Sequence, residues 1–227
     1  FQATAGNRPT LSARVNLLTY SEQFDNAAWT ANAYVTANAT TAPDGTLTAD
    51  KYNQRPAALG AQYQSTFQQP NVVGGIYTTR SLYAKAAEMS WIYLQQYDGT
   101  TNNGVYFNVS TGVIGNVVGS NISGQFITSV GNGWYRIGFN SLSTSGATYE
   151  RNQITLVTSN GGTPVYTGDG TSGIYIWGAD LRPTNAGALL PAYQRVNTAT
   201  DYTTTGFPLY LACNGTSSAM ATNSIDF

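Results

Sequence analysis

The 227-residue chain carries 10 Lys and Arg against 11 Asp and Glu, a formal net charge of −1, and no histidine. So few cations leave no basic stripe to follow phosphates, which excludes ordinary nucleic-acid binding. Without histidine there is no Ser-His-Asp or Cys-His catalysis and no histidine-ligated zinc.

Other counts narrow the class further. Charged residues are 9% of the chain, yet 41% are hydrophobic and 16 are tyrosine, enough for a packed core. Cys213 is the only cysteine, so no intramolecular disulfide forms. No run of about 18 or more apolar residues occurs, so no membrane insertion is expected. A polar surface of Ser, Thr, Asn, Gln and Gly fits secreted and virion proteins. The start at Phe1 without a signal peptide, and the end in mid-pattern at Phe227, lead us to expect a piece of a longer polypeptide.

Turn signals punctuate the sequence at Asp44-Gly45, Asp98-Gly99, Asn103-Gly104, Asn132-Gly133, Asn160-Gly161 and Asp169-Gly170. Strand-length alternating runs lie between them, predicting strands at 15–20, 46–52, 63–68, 76–86, 91–97, 104–109, 124–129, 133–142, 148–157 and 173–181. A helical turn is expected after Ser21, a capping residue followed by Glu22. Many short strands without a long amphipathic helix predict an all-β fold, an antiparallel jelly-roll β-sandwich. Residues 15–182 form the expected core domain. Segments 1–14 and 183–227, richer in Pro and poorer in alternation, flank it.

Period-two alternation separates two faces. Ile92 and Leu94 turn inward, leaving Trp91, Tyr93, Gln95 and Tyr97 outward. Leu82 and Ala84 turn inward, leaving Tyr83 and Lys85 outward. Val105, Phe107 and Val109 are core, which turns Tyr106 and Asn108 out; Tyr135, Ile137 and Phe139 are core, which turns Arg136 and Trp134 out. If these strands are neighbours, the outer face combines Trp91, Tyr93, Tyr97, Tyr83 and Tyr106 with Gln95, Asn108, Lys85 and Arg136. Flat rings take the C–H faces of a sugar, and amides and guanidinium groups bond its hydroxyls. Such a face equally serves a subunit interface, or packs beneath the protein's own loops.

Catalysis finds little support. Asp44, Asp98 and Asp169 sit in Asp-Gly turns, and only Glu150 and Asp180 fall on or beside strands, with nothing bringing them together. No enzymatic activity and no cofactor is expected. A single structural calcium ion would draw first on Asp25, Asp50 and Asp180.

Several blocks carry a family resemblance. Asn16-Leu17-Leu18-Thr19-Tyr20-Ser21-Glu22-Gln23-Phe24 through Trp29, with Pro43-Asp44-Gly45-Thr46 and Thr48-Ala49-Asp50-Lys51, resembles the start of a domain of phage tail fibres and head spikes. Ser81-Leu82-Tyr83-Ala84-Lys85-Ala86, Ser110-Thr111-Gly112 and Gly131-Asn132-Gly133-Trp134-Tyr135-Arg136 resemble its middle. The stretch from Tyr166 to Leu181 resembles its last strand. That domain is similar to jelly-roll carbohydrate-binding modules, whose ligands commonly lie on the concave sheet face. Trp177-Gly178 stand where those modules often carry aspartates, so their calcium site does not transfer.

The flanks, around Gly6-Asn7-Arg8-Pro9 and Phe207-Pro208-Leu209-Tyr210, resemble edges of a concanavalin-like, laminin-G-type sandwich into which the jelly roll would be inserted. The resemblance implies a non-catalytic glycan-binding or host-adsorption module on the virion surface. Its partners would be a cell-surface glycan or polysaccharide and other virion subunits, and homotrimers are usual for such proteins. The structural alternative is a spacer or decoration domain whose outer aromatics bury a subunit contact.

Overall fold

Asn-Gly and Asp-Gly turns reverse the chain at short intervals, so it builds antiparallel strands and little else. Asn103-Gly104, expected as a turn, lies instead inside a strand, paired with Gln96 and Gln95. A computed structural model describes residues 10–12, 15–184, 192–198, 200–202 and 210–212. In chain order the strands are β1 (Thr10–Ser12), β2 (Val35–Thr40), β3 (Ala49–Asn53), β4 (Gln62–Tyr63) and β5 (Ser65–Gln68). They continue with β6 (Tyr77–Ala86), β7 (Trp91–Tyr97), β8 (Asn102–Asn108), β9 (Val113–Val118) and β10 (Ile122–Gly131). Then come β11 (Trp134–Leu142), β12 (Arg151–Val157), β13 (Val165–Tyr166), β14 (Gly173–Thr184) and β15 (Tyr210–Ala212). The described residues contain two single 3-10 turns and no α-helix. The protein is all-β.

Two antiparallel sheets carry the fold. One has the order β10-β11-β6-β14-β3-β2, the other β5-β12-β7-β8-β9. Partners nest along the chain: β3 pairs with β14, β5 with β12 and β6 with β11, alternating between the sheets. Two small sheets, β13 with β4 and β1 with β15, lie apart from these. The β10–β11 hairpin closes through Asn132 (φ 52°) and Gly133 (φ 79°), the pair of left-handed residues that a two-residue turn of matching twist requires.

Inward side chains of both sheets meet in one apolar cluster. Leu82, Ile137, Phe139, Ile174 and Ile176 come from the six-stranded sheet; Ile92, Leu94, Val105, Phe107 and Ile154 come from the five-stranded one. All ten are wholly out of contact with solvent. Each such side chain contributes about 1.5–3 kcal/mol relative to exposure.

Several expected elements differ. Residues 15–18 lie beside β14 without joining its ladder, held by Leu17 N–H on Leu181 O (2.7 Å) and by the Asn16 amide on Ala179 O (2.9 Å), and the expected strand ends in a bend at 19–20. The strand expected at 46–52 starts only at Ala49, because Thr46 and Thr48 close a hydroxyl turn on Asp44. No helical turn follows Ser21. Successive i to i+3 turns run to Trp29, and the Ser21 hydroxyl bonds Tyr193 and Val196 instead. Strands β2 and β9 escaped prediction because they are largely exposed and show no burial alternation. β14 runs on to Thr184, and residues 193–197 pack back onto the start of the core, burying Val196. The flanking blocks 2–10 and 207–216 lie almost wholly outside the described residues.

Candidate functional site

Alternation along β7 sends Ile92 and Leu94 into the core and turns Trp91, Tyr93, Gln95 and Tyr97 to the outer face of the five-stranded sheet. The pairing registers widen that face. Gln153 of β12 stands between Phe67 of β5 and Gln95, while Arg151 stands beside Tyr97, itself opposite Asn102 of β8. These side chains, with Arg55, Tyr63 and Ser65, line a shallow groove of about 570 Å³.

The floor of the groove is an amide network. Gln95 Oε1 accepts from Thr155 Oγ1 at 2.6 Å and from Gln153 Nε2 at 3.0 Å; Gln95 Nε2 donates to Tyr63 Oη at 3.2 Å. Gln95 and Gln153 are buried, so packing and mutual bonding fix their orientation before a ligand arrives.

Half-buried aromatic rings wall the groove around a cation. The Arg151 guanidinium carbon lies 4.0 Å from the centre of the Phe67 ring and 5.3 Å from that of Tyr97. Its Nε and Nη2 donate to Gln69 Oε1 at 3.3 and 3.1 Å. Arg55 Nη2 donates to the Ser65 carbonyl at 3.3 Å, and its guanidinium lies 5.4 Å from the Tyr34 ring.

Beside the groove the same face is closed. Tyr93 and Tyr106 stack with centroids 4.1 Å apart and planes at 10°, and Tyr106 Oη donates to Gly162 O at 3.1 Å. Both are nearly inaccessible, at 4% and 5% exposure. Burial pushes both phenols above the usual tyrosine range.

The nine residues singled out from sequence thus have four destinations. Gln95 and Tyr97 line the groove, and Tyr93 and Tyr106 form the covered stack next to it. Trp91 and Asn108 border a separate hollow with Gln54, Met89 and Val157; Asn108 Oδ1 there caps a turn by accepting from Ser110 and Thr111 N–H. Tyr83, Lys85 and Arg136 belong to β6 and β11, in the other sheet. One shared outer face for all nine does not exist, because alternation tells which way a residue points and not which sheet its strand joins.

On that second sheet the outer face is covered around Tyr83. Tyr83 meets Trp177 edge-on at 5.2 Å and Tyr193 at 6.0 Å, and Arg136 lies 5.4 Å over the Tyr83 ring. Trp134 is buried beside them, its Nε1 donating to Thr41 O at 3.1 Å.

Sequence reasoning missed Phe67, Arg151, Gln153, Tyr63, Arg55, Asn102 and Ser65. The alternation that puts Ile154 and Leu156 inside also turns Arg151 and Gln153 out, so that part was available. Phe67 was not, because its strand buries Thr66 and Gln68 and turns the phenylalanine outward.

Asp25 lies near Asp50, but the three carboxylates Asp25, Asp50 and Asp180 do not gather at one place. Asp25 is exposed, Asp50 accepts backbone N–H groups from Phe24 and Asn38, and Asp180 pairs with Arg182. Glu150 is sealed in the interior against Arg80. No group of three or more His, Cys, Asp or Glu suited to a metal forms among the described residues, and no helix among them is long and apolar enough to cross a membrane.

No protein-family model and no curated protein matches the sequence. Among solved structures, the chain is similar to the enzymatically active domain of tailspike protein 4 of bacteriophage CBA120. The two are 13% identical, with a TM-score of 0.41, over 75% of this chain and 22% of that one. The chain therefore spans about a fifth of that neighbour's length.

Proposed function

We propose that this chain is a non-catalytic carbohydrate-binding module of a phage fibre or spike, a jelly roll that contributes to adsorption on a host-surface polysaccharide. The groove on the five-stranded sheet carries this reading. The half-buried rings of Phe67 and Tyr97 that line it suit the apolar side of a pyranose, and the pre-oriented amides of Gln95 and Gln153, with Asn102, suit its hydroxyls. The nested pairing of β3 with β14, β5 with β12 and β6 with β11 supports the jelly-roll reading. The phage-fibre context comes from the sequence blocks between Asn16 and Leu181.

The alternative, a spacer or decoration domain joined through outer aromatics, loses part of its basis. Tyr93, Tyr106 and Tyr83 already pack within this chain. Retention on immobilised bacterial surface polysaccharides tests the proposal. Tyr97→Ala and Phe67→Ala should each weaken retention about tenfold or more without loss of folded structure. Unchanged retention in both variants would remove the groove as the site, and light scattering that showed these variants dissolving an oligomer would favour the spacer.

A further inference from the structure

Four ion pairs form among the described residues: Lys51 with Glu88, Arg80 with Glu150, Arg182 with Asp180 and Arg195 with Glu22. Arg55 and Arg151 belong to none of them, and both line the groove, which no Asp or Glu lines. In a chain of net charge −1 this is a local excess of two positive charges in a concave site.

The nearest acids in sequence do not cancel it. Glu150 precedes Arg151, but strand alternation turns it inward, where it is wholly buried against Arg80. Asp98 follows Tyr97 and is likewise buried. Its carboxylate accepts from the backbone N–H groups of Thr100, Thr101 and Thr144 at 2.7–3.0 Å, bonds that hold its pKa well below the usual carboxylate range against the opposing effect of burial.

We infer that the ligand of this groove is an acidic saccharide, a polymer bearing hexuronate carboxylates, with Arg151 and Arg55 as the cationic contacts. The inference rests on the carbohydrate-binding reading above. Arg151 packs over the Phe67 and Tyr97 rings and is anchored by Gln69, so little side-chain entropy is left to lose on binding. A planar guanidinium fork matches a carboxylate with two parallel hydrogen bonds, and such charge-assisted bonds are about twice as strong as neutral ones. A neutral sugar would cover the two guanidinium groups without a counter-charge, a cost that an acidic sugar removes.

The test prints bacterial surface polysaccharides in native form and after chemical reduction of their carboxyl groups to alcohols. The folded chain should be retained on native uronate-containing polymers, with at least a tenfold loss on the reduced counterparts. Raising salt from about 50 to 500 mM should weaken retention further. Arg151→Gln should lose about tenfold and Arg151→Lys less, with Arg55→Gln intermediate; the reduction and salt measurements use the unaltered chain and stand even if a variant unfolds. Equal retention on native and reduced polymers, still lost in Tyr97→Ala, would overturn the acidic ligand and leave the groove as a neutral-sugar site. Retention on no polysaccharide of either form would overturn both readings.

Discussion

Arg80 Nη2 donates to Glu150 Oε1 at 2.5 Å in the interior between the two sheets, with both side chains at zero exposure. Thr78 Oγ1 donates to the same carboxylate oxygen at 2.8 Å, and Arg80 Nη1 donates to the Gln95 carbonyl at 2.9 Å. The pair therefore fixes the backbone beneath the groove to the opposite sheet. Burial pulls the Arg80 pKa down, and the Glu150 charge pulls it back up.

Removing one partner leaves the other charged and sealed from water. Arg80→Met should destabilise the chain by about 3–5 kcal/mol, read as a shift of the urea midpoint. A double change, Arg80→Met with Glu150→Leu, should recover much of that loss, since a buried pair adds little over apolar packing. A double variant no more stable than the single one would show that the pair stabilises the fold beyond what apolar packing supplies.

Tyr93 and Tyr97 lie four residues apart on one strand face and should respond in opposite ways. Tyr93→Ala removes a ring stacked on Tyr106 and leaves a cavity, which should cost about 3–5 kcal/mol. Tyr97→Ala, at a half-buried position, should stay within about 1 kcal/mol of the parent while weakening saccharide retention. Urea unfolding of the two variants side by side separates them, and equal losses would contradict the burial difference.

The same contrast shows what was legible in the sequence. Strand β7 was readable because Ile92 and Leu94 alternate with aromatics and amides, and the faces of β6, β8 and β11 followed from the same period. Burial on the outward side was not readable. The residues covering Tyr93, Tyr106 and Tyr83 come from around Gly162 and Tyr193, far along the chain, and neither segment carries a periodic signal. Arg80 was missed for a related reason, since a charged residue at an inward position breaks the pattern on which the reading depends.

Glycine at 178 is required twice over. Its φ is +62°, at the register shift between Trp177 and Asp180, and a Cβ there would stand 3.0 Å from Tyr83 Cδ2 and 3.3 Å from Tyr193 Cζ. Gly178→Ala should therefore destabilise by about 1–3 kcal/mol and disturb the aromatic cluster, visible as a changed near-UV circular dichroism signal. An unchanged spectrum with unchanged stability would mean that the bulge relaxes freely.

Asp50 links stability to pH. It accepts from Phe24 N–H at 2.8 Å and from Asn38 N–H at 2.9 Å, pinning the segment between the start of the core and β2. Burial pushes its pKa up from 3.8 to about 6, with those two bonds pulling the other way. Between pH about 4 and 6 the folded chain then holds a proton that the unfolded chain has released. This group's contribution is thus fully present below about pH 4, falls as pH rises through the window, and is constant above it. Glu22, also raised mainly by burial, acts with the same sign, whereas Asp98, held low, acts oppositely and only at more acid pH. Asp50→Asn should cost about 1 kcal/mol at low pH, since the amide nitrogen cannot accept one of the two N–H bonds, and should remove Asp50's share of the slope. Urea midpoints from pH about 3.5 to 7 for the two proteins should converge and then cross as pH rises, the variant becoming the more stable, because the rise of the Asp50 pKa from 3.8 to about 6 outweighs one hydrogen bond. Parallel curves would mean that Asp50 titrates alike in the folded and unfolded chains.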